Sequence, residues 1–107
     1  MMIGELEFKS NFNNKLGCKC FTTIRLSGRF SEGDKIIVIG PGQIRFGATV
    51  QGKRELPTIE AINEWVARLD TGYSRTDCIN LLKTMYKNKN IDWTTKKIFL
   101  YLISKQG

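Results

Sequence analysis

Two short runs, Lys35-Ile36-Ile37-Val38-Ile39 and Lys97-Ile98-Phe99-Leu100-Tyr101-Leu102-Ile103, constrain the fold most, because neither alternates between apolar and polar residues. Successive strand side chains point to opposite faces, so a run that is apolar throughout must be covered on both. Both runs are rich in β-branched and aromatic residues and too short to read as helices. The sequence therefore predicts two strands deep in a sheet that has material packed on each side.

The remaining strand signals lie in the first half. Residues 3 to 8 alternate Ile3, Glu5 and Glu7 with Gly4, Leu6 and Phe8, which predicts a first strand with one buried face. Residues 11 to 17 predict a short helical turn. The run from Lys19 to Leu26, bounded by Gly17 and by Ser27-Gly28-Arg29, reads as a second strand. Its alternation puts Lys19, Phe21, Thr23 and Arg25 on one face. Cys20, Thr22, Ile24 and Leu26 form the other, nearly apolar, face, which is the expected core side. Glu32-Gly33-Asp34 and Gly40-Pro41-Gly42 mark turns, and residues 43 to 53 predict one long strand or two pieces bent near Gly47. Gly-Pro-Gly lacks the Lys-Ser/Thr pair and following helix of a triphosphate-binding loop.

After Pro57 the pattern changes from strands to helices. Thr58 is the expected N-cap of a helix whose Ile59, Ile62, Val66 and Leu69 recur at helical spacing, with Trp65 flanking that stripe. Gly72 can adopt the left-handed conformation that ends it. Ser74-Arg75-Thr76-Asp77 resembles a capping box opening a second helix through Cys78, Ile79, Leu82, Met85 and Tyr86. The expected class is α+β: a small closed or nearly closed β-barrel of five to six strands, because closure protects strand edges, with two to three helices packed outside. Residues 1 to 107 are expected to form a single domain.

Seventeen Lys and Arg against ten Asp and Glu give a net charge of +7, spread over both halves of the chain. That balance favours a polyanion or nucleotide partner, although charge alone equally serves solubility. Lys83, Lys87, Lys89, Lys96 and Lys97 interleave with Tyr86 and Trp93, a pattern that can hold phosphates and stack bases or can simply solvate a helix end. There is no histidine, and Cys18 and Cys20 are too close for an ordinary disulfide, so with Cys78 they fall short of a zinc set. A reduced, cytoplasmic protein without metal or cofactor is expected, with neither a signal peptide nor a membrane-spanning stretch.

The polar face of the second strand is the candidate site. Lys19, Arg25, Arg29 and Arg45 are candidate phosphate contacts, with Phe21 or Tyr73 as a stacking partner, for RNA or single-stranded nucleic acid held in a basic cleft.

Gly17, Lys19, Thr22-Thr23-Ile24-Arg25, the Gly33-Asp34 turn before a Val/Ile strand, Gly72-Tyr73-Ser74 and Met85-Tyr86 follow one another in an order that resembles the ASCH branch of the PUA-like superfamily. The resemblance spans most of the chain. It implies a small β-barrel with a cleft beside the Thr-Ile-Arg strand, in a superfamily associated with RNA binding. In some small bacterial members it also implies metal-independent hydrolysis of 4-acetylcytidine. Those amidohydrolases carry a lysine three residues before the threonine of Thr-x-Arg and an acid from the loop after the first outer helix. Here Cys20 holds that spacing and Lys19 stands one residue further back, so a one-residue bulge near Cys20 or Phe21 is needed to align Lys19. Asp70 is the nearest counterpart of the acid.

The roles implied are Thr23 as nucleophile, Lys19 as base, Asp70 as proton shuttle and Arg25 as stabiliser of developing charge. The expectations are thus nucleotide or RNA binding, amidohydrolysis of 4-acetylcytidine or a related modified nucleoside, or a protein-interaction module whose basic surface meets an acidic partner.

Overall fold

The computed structural model describes residues 4–106, with side chains for all of these except residues 12–14. Five strands form one mixed sheet: β1 (Gly4–Glu7), β2 (Cys20–Arg25), β3 (Lys35–Ile39), β4 (Arg45–Leu56) and β5 (Ile98–Lys105). Their spatial order is β1-β3-β4-β5-β2, with β1 parallel to β3 and the other neighbours antiparallel. Ile3, placed in the first strand by its alternation, lies outside the described residues. The two apolar runs became β3 and β5, each hydrogen-bonded to a strand on both sides. β4 is one long strand, and its irregularity falls between Val50 and Gly52 rather than at Gly47, which keeps its register opposite Ile37.

The sheet separates two cores. Leu6, Phe21, Ile36, Val38, Val50 and Tyr101 pack in one, and Ile24, Ile62, Ala67, Cys78, Leu82 and Ile98 in the other. The second core is closed by the helices α1 (Glu64–Thr71) and α2 (Arg75–Met85). β2 therefore has no single core face. Phe21 and Thr23 are buried, as is Ile24, while Cys20, expected inside, is exposed. Coverage on both sides of this strand overrides its simple alternation.

Of the two expected forms, closed or nearly closed, full closure is not seen. Among the described residues no ladder joins β1 to β2, so hydrogen bonds do not close the sheet. Residues of both strands and of a 3₁₀ helix (Phe12–Gly17) between them in the chain border one cavity.

Helix α1 starts later than its stripe suggests. Thr58 precedes only a 3₁₀ turn (Ile59–Ala61), and Asn63 caps α1, its side chain accepting from the Val66 N–H at 2.8 Å. Ile59 and Ile62 are both buried through that turn, so their spacing of three does not require an α-helix, and Leu69 is left 60% exposed. Gly72, at φ 82°, terminates α1, and Ser74 accepts from the Asp77 N–H at the start of α2. Cys78, Ile79 and Leu82 of the second stripe are buried and Met85 is exposed. No described helix is long and apolar enough to cross a membrane.

Candidate functional site

Asp70 lies in the last turn of α1, one residue before the terminal Thr71, and its side chain turns inward. The same turn is braced by Thr71, whose hydroxyl donates to the Ala67 carbonyl at 2.9 Å and accepts from the Tyr73 N–H at 3.1 Å. Facing it, the 3₁₀ helix delivers Lys15, where the Asn11 side chain accepts from the Leu16 N–H at 3.0 Å and holds the turn. Lys15 Nζ lies 3.0 Å from Asp70 Oδ1, and the hydroxyl of Thr22 donates to the same oxygen at 3.1 Å.

On the other face of β2, the Thr23 hydroxyl accepts from Arg25 Nε at 3.0 Å. The i, i+2 spacing puts these two side chains side by side. Phe8 ties the halves of the site together: the Arg25 guanidinium lies 4.5 Å and the Lys15 ammonium 5.3 Å from its ring centroid.

These groups border one cavity of about 530 Å³, a size suited to a small organic ligand. Its wall has two characters. Lys15, Thr23, Arg25 and Asp70 supply polar atoms, and Ile24, Leu82, Met85 and Tyr86 supply an apolar side. Burial holds the Lys15 ammonium below the usual lysine range, outweighing the nearby Asp70 carboxylate, which acts in the opposite sense. Burial also raises Asp70 above the usual carboxylate range, against the opposing pull of Lys15 and Thr22. The two affinities for a proton are drawn toward each other, so one proton can pass between amine and carboxylate at reduced cost. The Cys78 thiol is raised by burial and is a poor nucleophile as it stands. Among the described residues no cluster of three metal-ligating side chains occurs.

Of the residues nominated from the sequence, Thr23, Arg25 and Asp70 meet at this cavity. Lys19 does not. It is exposed at the entry to β2, where its carbonyl accepts from the Lys105 N–H at 2.7 Å. The bulge that was to realign it is absent, because β2 pairs with β5 residue for residue from Cys20 to Arg25. The lysine paired with Asp70 at the cavity is Lys15. The sequence signal for it was faint: a single lysine beside Leu16 in a turn, indistinguishable by pattern from a solvated one.

The nucleic-acid set also disperses. Phe21 is a core ring, edge-on to Phe8 at 5.9 Å and to Phe46 at 6.2 Å, and its burial removes it from stacking on a base. Arg29 donates to the Glu5 carbonyl and lies 4.4 Å from the Phe30 ring centroid, and Arg45 stands 3.7 Å from the Glu5 carboxylate. Tyr73 sits in the turn between the helices. None of Lys19, Phe21, Arg29, Arg45 or Tyr73 lines the cavity.

No protein-family model and no curated protein matches the sequence. Among solved structures the chain is similar to the crystal structure of hypothetical protein PH0355, with a TM-score of 0.65 and 12% identity over 96% of this chain and 98% of that one. A likeness at that identity speaks for the fold and for nothing more.

Proposed function

We propose that this chain is a metal-independent amidohydrolase of the PUA-like, ASCH kind, with an incompletely closed barrel, that removes the acyl group from an N-acylated nucleoside such as 4-acetylcytidine. The observation that carries the reading is the buried Lys15–Asp70 pair bordering the same cavity as the Thr23 hydroxyl. A buried ion pair contributes little net stability, and perturbed ionisable groups in a cavity are characteristic of sites that move protons.

Thr23 Oγ attacks the acyl carbon as its proton passes to the Lys15 amine, which is free to accept once the pair's shared proton rests on Asp70. Arg25, already hydrogen-bonded to Thr23 Oγ, favours the hydroxyl's deprotonation and the negative charge that develops beside it. The C–N bond then breaks with the proton returned to the departing amine, leaving an acyl ester on Thr23. Water attacks this ester, one of its protons is taken by the pair and returned to Thr23 Oγ, and the carboxylic acid leaves, giving its remaining proton to solvent. The apolar wall of Leu82, Met85 and Tyr86 suits the flat face of a base.

A time course with 4-acetylcytidine tests the reading. Cytidine is expected to accumulate, and Lys15→Met is expected to abolish its release while the circular dichroism spectrum stays native. No cytidine at enzyme concentrations equal to substrate overturns it. Binding of an extended nucleic acid along a basic track has less support, since only Arg25 of its proposed contacts borders the cavity.

A further inference from the structure

Six acidic and basic side chains border the cavity: Lys9, Lys15, Arg25 and Lys89 against Glu7 and Asp70. Lys15 and Asp70 compensate one another directly. Glu7 lies near enough to Arg25 to favour its charge. Lys9 and Lys89 remain, and among the described residues neither ammonium group has an ion-pair or hydrogen-bond partner. Both are exposed, so they stand at the cavity's mouth rather than its floor. They come from different parts of the chain, Lys9 two residues after β1 and Lys89 at the end of the 3₁₀ turn (Lys87–Lys89) that follows α2. That turn is closed by a hydrogen bond of 3.0 Å from the Lys89 N–H to the Tyr86 carbonyl, so Lys89 has a fixed base.

We propose that Lys9 and Lys89 form an anion site that takes a terminal phosphate of the substrate, so that the preferred acylated nucleoside is a 5′-phosphorylated one. The inference rests on the reading of the cavity as a nucleoside site. Two uncompensated cations bordering one opening repel each other, and a group of matching charge relieves that repulsion. A phosphate monoester carries about −1.5 to −2 at neutral pH, close to the uncompensated charge of the wall, whereas a phosphodiester carries half of that or little more. The ligand is therefore a free nucleoside monophosphate or the 5′-terminal residue of an oligonucleotide, and the two share the chemistry that Lys9 and Lys89 recognise.

Binding and turnover together test this. Cytidine 5′-monophosphate is expected to bind the unaltered protein roughly tenfold more tightly than cytidine at low salt, the scale of one exposed charge-assisted contact pair. The advantage should collapse toward unity in Lys9→Ala/Lys89→Ala and shrink with added salt. Equal binding of the two ligands, no binding of either, or an advantage that survives the double substitution overturns the anion site. If 4-acetylcytidine and its 5′-monophosphate are both hydrolysed with equal kcat/KM, the amidohydrolase reading stands and the anion site falls. If neither is hydrolysed but the monophosphate still binds better through Lys9 and Lys89, the anion site stands and the amidohydrolase reading falls. A trinucleotide with a 5′-terminal phosphorylated 4-acetylcytidine separates the sources: faster turnover than the mononucleotide assigns the site to RNA ends, slower turnover to free nucleotides.

Discussion

Lys15 and Asp70 are 55 residues apart in the chain and 3.0 Å apart in space, each with a side chain only 6% exposed. Asp70 sits in the last turn of α1, where the helix dipole disfavours a carboxylate. Both the burial and the position work against the ionised acid, and Lys15 with Thr22 supplies the compensation. A site held together in this way responds in specific ways to substitution.

Lys15 and Lys19 separate the geometry from the local sequence pattern. Lys15→Ala is expected to lower kcat/KM toward 4-acetylcytidine by at least about a thousandfold, the scale of losing a member of a catalytic unit. Lys19→Ala, at an exposed position that does not border the cavity, should stay within about twofold of the parent. Steady-state cytidine release by the two variants decides between the lysines.

Thr23 is 2% exposed and accepts from Arg25. Thr23→Val keeps the shape but removes the proposed nucleophile and leaves Arg25 Nε without its acceptor. Activity should vanish, with a loss of about 1 kcal/mol in folding stability. Thr23→Ser is expected to retain activity and to accumulate an acyl-enzyme detectable by intact-mass spectrometry.

Breaking the buried pair should be costly, and replacing it should not. Lys15→Met alone and Asp70→Asn alone are each expected to lose about 3–5 kcal/mol in denaturant unfolding, because an uncompensated buried group remains. Lys15→Met/Asp70→Leu should be neutral or gain up to about 4 kcal/mol. Burial raises Asp70 above its ordinary 3.8, so between that value and its folded pKa the native state binds more protons and stability falls as pH rises. Burial lowers Lys15 below its ordinary 10.5, so between its folded pKa and that value the unfolded state binds more protons and stability rises with pH. The advantage of the double variant should therefore peak between these two windows and shrink toward pH 3.8 and 10.5.

Gly72 ends α1 at φ 82°, two residues after Asp70, with its N–H donating to the Arg68 carbonyl at 2.9 Å. Gly72→Ala forces a Cβ into the left-handed region and is expected to cost about 1–2 kcal/mol. Calorimetry should show a midpoint lower by roughly 5 °C.

Several features of this protein were decided within a few residues of sequence. The apolar runs of β3 and β5 required cover on both faces, Gly72 could adopt the left-handed conformation that ends α1, and Ser74 with Asp77 could cap α2. Thr23 and Arg25 were bound to be neighbours on β2 because strand side chains repeat every second residue. Periodicity and capping act over one turn or one pleat, so such features can be read from local order. Other features needed the folded chain. Which lysine meets Asp70 depends on how the 3₁₀ helix packs against α1, and no spacing rule distinguishes Lys15 from Lys19 over that distance. Phe21 joined the core, and β1 and β2 stayed apart around a cavity, because coverage and closure are properties of the whole sheet, set by contacts between residues far apart in sequence.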